Sequence, residues 1–154
     1  MSFVRLDKIK ATAHLESFVH DADLKNGQFV NIGAIDEDHG GEAVNVKLAE
    51  QGGVAEAIVT TVQGIYQNDT DFDITKQVTK AGKAGRAHVI ETGNVISFLV
   101  TEEEIANFTK GQDVAIGANG LGVKVAEEGE TVIGTVQAKE YQNLIGDLLV
   151  VRFK

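Results

Sequence analysis

Asn26-Gly27-Gln28-Phe29-Val30-Asn31-Ile32-Gly33-Ala34 returns later in the chain as Lys110-Gly111-Gln112-Asp113-Val114-Ala115-Ile116-Gly117-Ala118, identical at six of nine positions with an offset of 84. Val46-Lys47-Leu48-Ala49-Glu50-Gln51-Gly52 then returns as Val123-Lys124-Val125-Ala126-Glu127-Glu128-Gly129 at an offset of 77. Ile58, Thr60 and Tyr66-Gln67-Asn68 match Ile133, Thr135 and Tyr141-Gln142-Asn143 at an offset of 75. The falling offset places extra residues in the first copy, most of them in the acidic stretch Ile35-Asp36-Glu37-Asp38-His39-Gly40-Gly41. Three blocks in the same order describe a duplicated β-hairpin unit. Its shared positions are turns and apolar residues, which points to a scaffold before an enzyme.

Working outward, most apolar runs are short and bounded by glycine, the pattern of strands. In the first copy they are Phe29–Ile32, Ala43–Leu48 and Ala57–Val62. In the second they are Val114–Ile116, Gly122–Val125, Thr131–Val136 and the nearly all-apolar Leu148–Phe153. Asn119-Gly120 is a signal for a type I′ turn, which needs positive φ at both central residues. Thr101-Glu102-Glu103-Glu104 is a capping box, with Ile105 and Phe108 as an apolar face and Lys110-Gly111 as a stop, so one short helix is predicted near 101–108. Residues 1–23 read as an N-terminal arm. Phe3–Lys8 has at best the alternation of a half-buried strand, and Leu15, Phe18 and Val19 have the spacing of one helical turn. The predicted fold is mostly β: a small sandwich or barrel over residues 24–154, built from related units at about 26–68 and 110–143, with Gly33 and Gly117 equivalent.

A chain of 154 residues is one domain of ordinary size. Its composition, 43% hydrophobic and 24% charged, is globular. No apolar run approaches the ~20 residues of a spanning helix, and residues 1–10 have no apolar signal core, so no membrane role and no export are expected. Cysteine is absent, which excludes disulfides, thiolate chemistry and thiolate-held zinc. A formal charge of −9 argues against direct nucleic-acid binding, which needs a basic face. Proline is also absent and glycine numbers 17, so turns here rely on glycine and Asn-Gly pairs.

Stretches that suggest chemistry fail on their spacing. Asn68-Asp69-Thr70-Asp71-Phe72-Asp73 resembles the start of a calcium loop, but counting from Asp69 puts Ile74 where the turn glycine belongs and Lys80 where the closing glutamate belongs. Asp36-Glu37-Asp38-His39 gathers carboxylates and an imidazole in what reads as an exposed hairpin loop. Ala81-Gly82-Lys83-Ala84-Gly85-Arg86 lacks both the hydroxyl after Gly-Lys and the leading glycine of a phosphate loop. His14, His20, His39 and His88 have no metal-helix or triad spacing, and neither Ser17 nor Ser97 sits in a nucleophile elbow. No catalytic residue, cofactor or metal ligand is assigned.

His14–Phe18 with Lys25–Val30, then Lys80–Ala87, then Glu91-Thr92-Gly93-Asn94-Val95-Ile96-Ser97-Phe98 together resemble the small head proteins of tailed phages infecting Gram-positive bacteria, which are thought to decorate the capsid. The resemblance implies a non-enzymatic capsid decoration protein made in the host cytoplasm and carried on the virion. It also implies a homo-oligomer, most often a trimer, whose partner is the major capsid protein. The chain's charge distribution adds a candidate contact. Residues 1–10 carry Arg5, Lys8 and Lys10 against Asp7, on a chain that is acidic overall. With Phe3, Val4 and Leu6 they suit an added strand on an acidic shell. The alternative reading is a glycan- or metal-binding module using the acidic loops at 36–39 or 68–73.

Overall fold

The computed structural model describes residues 3–61 and 73–154. Its strands are β1 (Val4–Lys8), β2 (Leu15–Val19), β3 (Leu24–Lys25), β4 (Phe29–Ile35), β5 (Val44–Leu48), β6 (Ala57–Val59), β7 (Val78–Thr79), β8 (Gly85–Val89), β9 (Val95–Val100), β10 (Asp113–Ile116), β11 (Val123–Val125), β12 (Gly134–Gln142) and β13 (Gly146–Phe153). Helix α1 spans Glu102–Ala106. Strands β2-β5-β4-β6-β8 close into a barrel, and β1-β9-β13-β12-β10-β11 form a six-stranded sheet, with β3 and β7 as a separate pair. The fold is therefore mostly β, a small barrel packed on a sheet.

Side-chain alternation explains how the two bodies join. Phe29 and Val30, neighbours on β4, are both fully buried because they point to opposite faces. Val30 fills the barrel interior with Phe18, Leu24, Val46, Ala57, Val59 and Ala87. Phe29 and Ile58 point outward instead, into the core beneath the sheet with Phe98, Val136, Leu149 and Phe153. The Phe29 ring lies 5.8 Å from Phe98 and 6.1 Å from Phe153. At Gly85 a Cβ would stand 2.4 Å from the tip of the Phe18 ring, so only glycine lets β8 pass this close to the barrel core.

The duplication is present in the hydrogen bonds. Pairing of β4 with β5 sets Val30 opposite Leu48 and Ile32 opposite Val46; pairing of β10 with β11 sets Val114 opposite Val125 and Ile116 opposite Val123. These are the positions that the first two sequence blocks equate. Gly27 N–H donates to the Val59 carbonyl at 2.9 Å, and Gly111 N–H to Val136 at 2.8 Å. Gln28 Oε1 accepts from Lys25 N–H at 2.6 Å, and Gln112 Oε1 from Thr109 N–H at 2.8 Å. Gly27 and Gly111, at φ 86° and 84°, make the same left-handed turn beside those glutamines. A Cβ on Gly33 would press on the Asn45 carbonyl at 2.8 Å, and one on Gly117 on Leu121 at 2.4 Å. The third sequence block needs correction. Glu56 N–H donates to Val30, and Ile133 N–H to Val114, so Ile133 is the counterpart of Glu56, not of Ile58. The offset of 77 thus runs on through the third strand. Tyr66–Asn68 lie outside the described residues.

Residues 4–8 pair with β9 as an edge strand of the sheet, and residues 15–19 pair with β8 and β5 in the barrel. The helical turn expected over 14–19 is a strand. Leu15, Phe18 and Val19 have helical spacing, but the distant partners Gly85–His88 and Val44–Asn45 hold the backbone extended. Helix α1 keeps its expected start: Thr101 Oγ1 accepts from Glu104 N–H, and the Glu104 carboxylate accepts from Thr101 N–H. Asn119 and Gly120 both take positive φ, 55° and 69°, as the turn signal required.

Candidate interaction surface

Of the six residues expected to form an adhesive arm, all lie on or beside β1. Val4 packs against the shared core, while Leu6 stands 38% exposed on the strand edge. Phe3 is half-buried and its carbonyl accepts from Leu99 N–H. Register pairs Arg5 with Ser97, and the Phe3–Leu99 bond has the same parity, so the peptide groups of Val4 and Leu6 point away from β9. Among the described residues nothing bonds these groups, which leaves that edge open to a further strand.

The basic charge is only partly on offer. Arg5 is bonded to Asp7, to Glu140 at 2.6 Å, and to Ser97 and Gln142 at 3.2 Å each. The hydrogen bond that Arg5 donates to Glu140, helped by Asp7, raises the Arg5 pKa above its ordinary value despite some burial. Lys10 meets the Glu91 carboxylate. Lys8, exposed at the end of β1, completes the set.

The acidic loop at 36–39 is a 3-10 turn over Glu37–His39 closed by its own side chains. Asp36 accepts from the His39 ring and from Asn45, and the His39 bond holds its carboxyl below the usual range. Of the second acidic loop only Asp73 is described. It accepts from the Thr75 N–H and hydroxyl and meets Lys76 at 3.0 Å, which lowers its pKa to about 2. Among the described residues no three His, Asp or Glu side chains gather as a metal site would need. His88 lies on β8, its Nδ1 2.6 Å from Thr60 Oγ1, and burial lowers its pKa.

Two surface features were not read from the sequence. The β12–β13 hairpin projects further than expected and carries Tyr141, 73% exposed, and Leu144, 94% exposed, at its tip. An exposed apolar pair next to a turn was visible in Tyr141–Leu144, but the repeat placed Tyr141 within a matched block and hid it. The second feature is a cleft of about 420 Å³ where β9, α1 and β11 meet. Phe98, Phe108, Val123 and Val125 line it, with Glu104 and Glu127 at its rim. Because β9 and β11 are separated by three strands in the sheet order, the sheet must curl to bring them to one opening. No signal in the sequence marks such a curl.

This fold has a counterpart among solved structures. The N base of the head fibre gp8.5 of bacteriophage phi29 matches it with a TM-score of 0.56 over 93% of this chain and 95% of that one. The fold resembles a phage head-fibre base. Sequence identity is 9%, so the shared property is the backbone arrangement. No protein-family model matches the chain, and no curated protein matches it in sequence. No helix among the described residues is long and apolar enough to cross a membrane.

Proposed function

We propose that this chain is a non-enzymatic structural protein of a phage head, a decoration protein bound to the outer surface of the major capsid protein. The observation that carries the reading is the end-to-end match to the phi29 head-fibre base. The sequence phrases that resemble small phage head proteins agree with it independently. In this reading the β1 edge meets the shell: the outward peptide groups of Val4 and Leu6 extend a sheet, while Leu6 and Lys8 supply apolar and basic contacts. The assembly is a trimer. Three such edges acting together raise avidity by about 10²–10⁴ over one, so a weak single contact suffices.

The test mixes the full chain with heads assembled without it and follows co-sedimentation. Residues 2–10 are unsuitable for deletion, because β1 belongs to the sheet. The double substitution Leu6→Glu and Lys8→Glu changes the edge without removing the strand. Binding by the wild type, weakened about tenfold or more by the substitution in a variant with an unchanged melting temperature, is the expected outcome. Absence of wild-type binding overturns the decoration role. Binding unchanged by the substitution moves the contact away from β1.

A further inference from the structure

We propose that the cleft beside β11 takes an extended segment of a partner protein, one that alternates apolar and basic residues, as an added strand along Val123–Val125, just past the point where Gln28 and Gly27 meet Leu121 and Gly122. The inference stands on the isolated chain and does not require the capsid reading.

The edge is defined by register. Gly117 N–H donates to Gly122 at 3.0 Å and Ala126 N–H to Asp113 at 3.1 Å, on either side of the Ala115–Lys124 pair. Hydrogen-bonded and non-bonded pairs alternate in an antiparallel ladder, so the peptide groups of Lys124 face β10 and those of Val123 and Val125 face away from it. Among the described residues nothing bonds these outward N–H and C=O groups. They stand at the mouth of an apolar cleft, where desolvation without a partner is costly. A guest strand would supply the missing bonds.

The cleft also sets the chemistry of the guest. Val123 and Val125 pack against the shared core, while Lys124 points the other way and is held by Glu127 at 2.8 Å and Glu130 at 2.9 Å. A strand beside them places every second side chain over Phe98 and Phe108, and the others toward the rim. The rim is acidic: Glu104 and Glu127 line it, Glu102, Glu103 and Glu128 are their exposed neighbours in sequence, and Lys124 is the cation set among them. Apolar residues inward and basic residues outward are the complement. A volume of about 420 Å³ beside a three-residue strand suits a short segment and excludes a helix or a folded element.

The experiment titrates the isotope-labelled full chain with a synthetic hexapeptide alternating lysine and valine, read from the backbone amide signals. The expected result is saturable shifts at Val123 and Val125, with slowed amide exchange at both. The double variant Glu104→Gln and Glu127→Gln keeps a capping-box side chain at 104 and should weaken binding by about tenfold. Methylating the valine nitrogens of the peptide should abolish binding, because the strand then has no donors for β11. Equal binding of a glutamate–valine peptide, or of the methylated one, overturns the proposal. So does a change in sedimentation when the peptide is added, since the cleft would then hold a second copy of this chain.

Discussion

The two copies of the hairpin unit share a ladder and live in different surroundings. In the first, β4 begins enclosed, with Phe29 in the core under the sheet and Val30 in the barrel interior, and runs out to solvent at Gly33–Ile35. In the second, β10 begins exposed at Asp113 and is fully buried from Val114 through Ile116. A single equivalent position records the difference. Phe29 is fully buried between two aromatic rings, whereas its counterpart Asp113 is exposed and pairs with Lys154 at 2.7 Å. The backbone pattern of a duplicated unit therefore persists while its first strand position is rewritten from core to surface. What survives in both copies, the Gly-Gln turn and the close-approach glycines, is what the ladder needs wherever it sits.

That comparison breaks most sharply at Phe29. Replacing it with alanine removes the ring that joins barrel to sheet, and urea denaturation should show a loss of about 3–5 kcal/mol. Asp113→Ala, at the equivalent site, removes one exposed ion pair and should cost within about 0.5 kcal/mol. Similar losses at both sites would mean that the copies are not environmentally distinct.

The turn glutamines sharpen the shared part. Gln28→Ala should destabilise by about 1–3 kcal/mol, because Gln28 is buried and also donates to the Asn119 carbonyl at 3.1 Å. Gln112→Ala, in a more exposed copy of the turn, should cost about 1 kcal/mol or less. The ordering of the two, read from the same denaturation curves, is the prediction.

The smallest effect belongs to a feature of the barrel body. Burial, with a lesser contribution from the Arg86 charge, holds the His88 imidazole below its ordinary 6.5. The folded chain then favours the neutral ring, and the unfolded chain takes up the proton first as pH falls. Stability should be fully present above pH 6.5 and decline as pH drops below it, until the folded ring also protonates. Melting temperatures measured across that window should decline less in a His88→Gln variant.

Strands whose partners lie close in sequence were legible, and strands whose partners lie far away were not. Repeated glycines, the Asn119-Gly120 turn and the Thr101–Glu104 box announced β4, β5, β10, β11 and α1, since each is fixed by local backbone preference and a short hairpin. Leu15–Val19 was misread because five residues fit either period, and only pairing with β8 and β5 resolves them. Gly85–Val89 carried no expectation of a strand for a similar reason: its glycine marks the approach of Phe18, a contact about seventy residues away in sequence. The candidate contacts divided likewise. The basic character of residues 3–10 was in the composition, but the engagement of Arg5 by Glu140 and Gln142 depends on strands that meet only in the folded sheet.

The sequence by itself determined the mostly-β character, the duplication, the turn positions and the helix start, because those follow from local sterics and hydrogen bonding within a few residues. Tertiary structure alone decided which copy closes into a barrel and which remains part of an open sheet. It alone also curled that sheet until β9 and β11 faced one cleft. Barrel closure and sheet curl are set by the summed twist of many strands and by packing across two cores, quantities that no short stretch of chain contains.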